Sequence, residues 1–241
     1  MRALRPFLKI YGGKYRASKL YPSPQYETII EPFAGGAGYS CRYWYKRIVL
    51  IEKDPIIAGV WRYLLSTSSR DILALPDVKA GQSVDTLAVC ADAKYLIGFW
   101  LNAGVARPRK TPSAWMRAGT HPGCFWGHSV RERIARQLES VRHWKIIYGD
   151  YQEAPDACAT WFIDPPYQNA GRHYRMHKID YTQLGMWCKT RRGQSIVCEN
   201  EGADWLPFQY LAKVHSTSNA AGGKYSTEAV WIQNDLSTEG G

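Results

Sequence analysis

Short apolar runs, each closed by proline, glycine or an acid, alternate with stretches of helical period along most of the chain. Residues 28–33, 47–51, 145–148, 161–163, 195–200, 209–216 and 228–233 read as strands. Between them, 55–65, 93–102, 129–143 and 181–191 read as helices, and 39–45 does so directly after a glycine-rich turn. Strands alternating with helices predict an α/β, Rossmann-like domain around a mostly parallel sheet. The last two strands have no helix between them, which predicts a hairpin and hence a seven-stranded sheet with one reversed strand. The alternation lapses over residues 66–144. This region reads as an inserted, basic, largely helical segment interrupting a core of residues 1–65 and 145–236, with 237–241 as a disordered tail.

The ends of the strands carry the chemistry. The run Trp161-Phe162-Ile163 stops on Asp164-Pro165-Pro166-Tyr167, and prolines cannot continue a central strand. The chain must leave the sheet there, placing a carboxylate, the Pro165 carbonyl and a tyrosine ring at the carboxyl edge, where open α/β sheets bind ligands. Two acceptors and an aromatic face suit a flat, amine-bearing ring such as adenine. The first strand runs into Glu31-Pro-Phe33-Ala-Gly35-Gly-Ala-Gly38, a strand-turn-helix entry that is neither GxGxxG nor a P-loop. A phosphate cradle is therefore disfavoured, and a nucleoside with a zwitterionic tail, such as S-adenosylmethionine, fits better. Glu52 ends the second strand where related folds bind ribose hydroxyls, and Asp54-Pro55 reads as a helix N-cap. Gly149-Asp150-Tyr151 again puts an acid and an aromatic at a strand end, and Tyr11-Gly-Gly-Lys14 offers a tight turn with a cation beyond it.

Charge adds a partner. The chain has 241 residues and a formal net charge of +10, with 16 tyrosines and 10 tryptophans. Positive charge with flat side chains suits phosphate neutralisation and base stacking. Nine Lys or Arg against two acids fall between Arg107 and Gly149, led by Arg107, Arg109, Lys110, Trp115 and Arg117. A second basic, aromatic loop spans Arg172 to Lys178. His121, Cys124 and His128 have ligand-like spacing but lack a fourth partner, so no metal is expected. The six cysteines show no CxxC spacing and read as reduced thiols. With neither a leader nor an apolar span of membrane length, a cytoplasmic protein without a membrane partner is expected.

Taken in order, Tyr11-Gly-Gly-Lys14, Glu31-Pro-Phe-Ala-Gly-Gly, Glu52, Gly149-Asp150 and Asp164-Pro-Pro-Tyr167 resemble the Dam-like DNA adenine methyltransferases, including phage members. The resemblance covers roughly residues 7–65 and 145–233. It implies an S-adenosylmethionine-dependent methyltransferase fold acting on double-stranded DNA, in which a flipped adenine is methylated at its exocyclic N6. Asp164, Pro165, Pro166 and Tyr167 would hold the base. Tyr11, Lys14, Glu31, Phe33, Gly35, Glu52, Asp150 and Tyr151 would surround S-adenosyl-L-methionine. The segment holding Asn219 and Lys224 is similar to a family loop near DNA. An RNA adenine methyltransferase and a non-catalytic nucleic-acid-binding protein of the same fold are the competing readings.

Overall fold

The structure is a computed structural model that describes residues 2–102, 104–119, 123–169, 171, 174–215 and 225–234, with the side chains of Trp115 and His215 left aside. Seven strands form one sheet: β1 (Thr28–Glu31), β2 (Arg47–Glu52), β3 (Lys145–Tyr148), β4 (Ala159–Ile163), β5 (Gly193–Asn200), β6 (Gln209–His215) and β7 (Tyr225–Gln233). Their order is β3-β2-β1-β4-β5-β7-β6, and only β7 runs against its neighbours. The α/β class, the mostly parallel sheet and the single reversed strand thus agree with the pattern of the sequence. Strand β1 stops at Glu31, two residues earlier than expected, because Pro32 has no N–H to extend the ladder.

The topology has one switch point. From β1 the chain adds β2 and β3 on one side, then crosses to lay β4 on the other side of β1. The crevice above the carboxyl ends of β1 and β4 is where such sheets hold ligands.

Alternation along the strands supplies two cores. Ile29, Leu50, Phe162, Ile196 and Val230 face one way and pack with α1 (Pro55–Ser66), whose Trp61 and Leu64 are fully buried. Ile30, Ile51, Trp161, Ile163 and Val197 face the other way, under α6 (Tyr181–Lys189). Asp54 caps α1, accepting from the Ile56 N–H at 2.9 Å, with Pro55 at the first helical position as its sequence predicts.

Residues 66–144 contribute α2 (Ser69–Ala74), α3 (Ala91–Trp100), α4 (Ala114–Arg117) and α5 (His128–Gln137). Ile72, Leu96, Phe99, Trp126, Val130 and Ile134 lie in the same core as Ile29 and Leu50. The inserted segment therefore covers one face of the sheet. A parallel bridge between Ile10 and Val105 ties it to the N-terminal segment.

Two helices differ from expectation. Residues 39–45 form successive turns, because Gly38 and a run of aromatic and polar residues favour helix weakly. Helix α5 ends at Gln137 and tightens into a 3-10 turn over Leu138–Val141.

Trp61 joins the core to the turn after β1. Its ring centroid lies 5.8 Å from Phe7 and 5.7 Å from Trp144, and its Nε1–H donates to the Gly35 carbonyl at 2.8 Å. Trp61→Ala should cost about 3–5 kcal/mol in urea unfolding, the range for emptying a buried aromatic site. A loss below about 1 kcal/mol would show that α1 is not held through this residue.

Candidate functional site

A cavity of about 340 Å³ opens at the switch point, within the roughly 300–1,000 Å³ usual for small-molecule sites. Its walls come from the turns that follow β1, β2, β3 and β4, with the N-terminal Tyr11–Lys14 turn across one end.

The turn after β1 is built for close approach. Gly35 has φ +45°, and a Cβ there would meet no protein atom within 4 Å, leaving that space to the cavity. Its N–H donates to Glu52 Oε2 at 2.9 Å, while the Asp54 N–H donates to Glu52 Oε1 at 2.8 Å. Both oxygens of this buried carboxylate are thereby aimed by backbone. A Cβ on Gly38 would stand 2.4 Å from the Tyr15 nitrogen and 2.8 Å from the Lys14 carbonyl carbon. Glycine at 38 is what lets the Lys14 backbone lie across this turn.

One wall of the cavity is aromatic and acidic. Phe33 and Tyr151 stack with ring centroids 5.5 Å apart and planes 27° from parallel. Asp150 caps a short 3-10 turn at Tyr151–Glu153 and pairs with Lys53 at 2.6 Å. Across the mouth, Arg175 lies 3.7 Å from Asp54 Oδ1. Tyr174 closes over the glycine turn, its hydroxyl donating to the Tyr11 carbonyl at 3.1 Å.

At the other end stands a charged cluster. Asp164 follows β4 directly, with its Oδ1 3.5 Å from the Lys14 ammonium. That ammonium lies 3.0 Å from Glu228 Oε2 and 4.4 Å from the centre of the Tyr167 ring. The same Glu228 oxygen accepts from the hydroxyls of Tyr21 at 2.9 Å and Tyr167 at 2.7 Å. Pro165 is buried, and the Pro166 carbonyl accepts from the Tyr181 hydroxyl at 2.6 Å.

Burial sets the electrostatics. It pushes the Asp164 carboxyl up to about 7, against the opposing pull of Lys14, and the Glu52 carboxyl up to about 7 despite its backbone donors. Glu31 is pushed up to about 8, again by burial, with the Ser40 N–H acting the other way. Lys14 is raised above the usual lysine range: burial alone would lower it, but Asp164 and Glu228 outweigh that. The cavity therefore holds three carboxyl groups whose ionised forms a cationic guest beside them would favour.

Tyr11, Lys14, Glu31, Phe33, Gly35 and Glu52 all line this cavity, as do Asp150, Tyr151, Asp164 and Pro166. Tyr167 stands beside the cavity, with Lys14 over its ring. Of the basic residues, Lys178 lines the mouth, while Arg107 and Arg109 are exposed and follow Ala106 of the lining in sequence. Lys110 pairs with Asp85 at 2.7 Å, and the Arg117 guanidinium donates to the Pro112 carbonyl at 2.8 Å. Arg172, Asn219, Lys224 and His121 lie outside the described residues, as does the Trp115 side chain. Among the described residues no group of His, Cys, Asp and Glu has the arrangement to hold a metal ion, and none of the six cysteines is in a disulfide. No described helix is long and apolar enough to cross a membrane.

Glu228 and Tyr174 are the residues that sequence reasoning missed. The only signal for Glu228 was an acid at the head of the apolar run Ala229-Val230-Trp231. For Tyr174 there was none beyond its place in an aromatic loop.

No family model matches the chain, and no curated protein matches it. Among solved structures, a conserved hypothetical protein of Streptococcus pyogenes is similar over 84% of each chain, at 9% identity and a TM-score of 0.36. A likeness that weak carries no argument about fold or function.

A pH dependence of stability follows from the buried acids. A carboxyl whose folded-state pKa is raised holds its proton where the unfolded chain has lost it, so stability falls as pH rises from about 4.5 to about 8. Glu31→Gln keeps an acceptor for the Ser40 N–H and removes the titration. The variant should be more stable than the parent at pH 8 by an amount on the order of a few kcal/mol, and equal to it at pH 4. Urea midpoints that stay parallel across this window would show that Glu31 does not hold its proton.

Proposed function

We propose that the chain is a DNA adenine methyltransferase that uses S-adenosylmethionine and methylates N6 of a flipped adenine. The observation that carries this reading is that one cavity joins Asp164 and Pro166, after β4, to the Glu31–Gly38 turn and Glu52. A donor and an acceptor bound at its two ends would meet within it.

The cavity suits S-adenosylmethionine on three counts. Its volume of about 340 Å³ takes a nucleoside with an amino-acid tail, and the open space at Gly35 is a cradle that a side chain would fill. Glu52 has both oxygens held by backbone at the edge of the second strand, the place for ribose hydroxyls. Glu31 and Glu52 both line the cavity, and their ionised forms would suit a cationic guest such as this cofactor's sulfonium. Phe33 and Tyr151 offer the aromatic wall for its ring, Asp150 an acceptor beside it.

The bound cofactor supplies an electrophilic methyl group; the chain does the rest. The lone pair of the adenine amino group is delocalised into its ring and attacks poorly. Asp164, accepting one amino N–H, localises that lone pair and stabilises the positive charge that grows on nitrogen. The Pro165 carbonyl is the second acceptor in this reading. The Pro166 carbonyl is committed to Tyr181, which fixes the course of the turn. Once the new bond forms, the nitrogen becomes acidic, and its proton passes to Asp164 or to water. Burial of the site keeps competing water away from the reacting nitrogen. The base reaches this depth only out of the duplex, at a cost of a few kcal/mol that contacts with the pocket offset. The exposed Arg107 and Arg109, with Lys178 at the mouth, supply positive charge for the flanking phosphates in this reading.

Asp164→Ala should lose about 3 kcal/mol or more of transition-state stabilisation, a hundredfold or greater fall in methyl transfer, with cofactor affinity retained. Transfer of labelled methyl groups to duplex DNA and to structured RNA, followed by base analysis, tests the reaction and the nucleic acid together. A near-native rate in the variant would remove Asp164 from the chemistry, and a product only on RNA would replace DNA as the substrate.

Arg107→Glu with Arg109→Glu should flatten the plot of log affinity against log salt by about two phosphate contacts. An unchanged slope would place the interface elsewhere.

A further inference from the structure

Glu228 has a position that the reaction as described does not use. It sits on the reversed strand β7, 4% exposed, and meets Asn200 of β5 and Ala212 of β6 in register. Strand β6 has its bulge between Tyr210 and Ala212, directly beside it, and bulges re-aim side chains next to functional sites. One oxygen of Glu228 takes three donors: the Lys14 ammonium and the hydroxyls of Tyr21 and Tyr167.

Lys14 is thus shared between two acids. Its ammonium is 3.0 Å from Glu228 and 3.5 Å from Asp164, so the nearer partner is the one that no substrate has to reach. It also covers the Tyr167 ring at 4.4 Å. A cation in this place competes with an adenine amino group for the Asp164 carboxylate. Resting on the proposed function, we infer that Glu228 is a positioning residue that draws the Lys14 ammonium off Asp164 and anchors Tyr167, leaving the Asp164 carboxylate free to receive the target amino group.

The charged groups around Asp164 come from several elements: Lys14 from the N-terminal turn, Glu31 from β1, Glu199 from β5 and Glu228 from β7. Tyr21, Tyr167, Tyr174 and Cys198 also face it, and burial keeps each of them neutral. Glu228 raises the Asp164 carboxyl as a like charge and also holds the cation that lowers it. Removing its charge acts on Asp164 twice in one direction: the like charge is lost, and Lys14 turns wholly to Asp164.

Glu228→Gln therefore makes a two-part test. In a ¹³C titration of the Asp164 side-chain carboxyl, assigned with Asp164→Asn, the midpoint should fall by about one unit or more. In methyl transfer at pH 8, kcat should fall about tenfold to a hundredfold while KM for DNA changes less than about twofold, with the acid limb displaced to lower pH. Glu228→Asp sets the charge one methylene further back and should shift both readouts the same way by less; it serves alone where the glutamine variant does not fold. A native midpoint and a native acid limb in whichever variant folds would overturn the role of Glu228. Absence of methyl transfer in the parent chain would instead overturn the proposed reaction, and the titration would still decide the network.

Discussion

The buried ammonium of Lys14 is the interaction on which the site depends. An isolated charge at this depth would cost several kcal/mol, and it is tolerated because Asp164 and Glu228 stand within 3.5 Å. Those partners come from parts of the chain about 150 and 214 residues away, so one cation ties the N-terminal turn to β4 and β7. Tyr21 and Tyr167 complete the shell by donating to the same carboxylate. Breaking one member of such a cluster leaves the others buried and unpaired, which is why the network acts as a unit.

The sheet makes this convergence possible. Strand β1 is flanked by β2 and β4, and the turns leaving β1 and β4 diverge above the switch point. Prolines at 32, 165 and 166 stop the ladders there, so Glu31 and Asp164 stand at the rim of the crevice. Gly38 then admits the Lys14 backbone across the same rim, since a side chain at 38 would strike it. A strand reversed at β7, rather than another parallel one, brings Glu228 to the same edge from the opposite direction.

Much of this was legible in the sequence, and the reason is local. Apolar runs ended by proline, glycine or acid mark both where a strand lies and which residue its carboxyl end presents, so Glu52, Asp150 and Asp164 could be placed on one edge before any coordinates. The hairpin at the end followed from the missing helix. What was not legible is what depends on distant partners. Tyr167 reads as an open stacking face until Lys14 is placed over it. Glu228 looks like any acid at a strand's start, because alternation says which face it takes but not what waits there.

The inserted segment shows the same division between local pattern and distant partner. Its basic and aromatic composition reads as a separate reader of nucleic acid, yet Phe99, Trp126 and Ile134 are buried against the sheet core. The segment is therefore part of what holds the sheet beneath the cavity, and the Ile10–Val105 bridge sets the N-terminal turn that carries Lys14. Arg107 and Arg109 follow that bridge by two and four residues, on the outer side of a stretch whose Ala106 lines the cavity. The exposed arginines and the bridge that holds the N-terminal segment before Lys14 thus share one short piece of backbone.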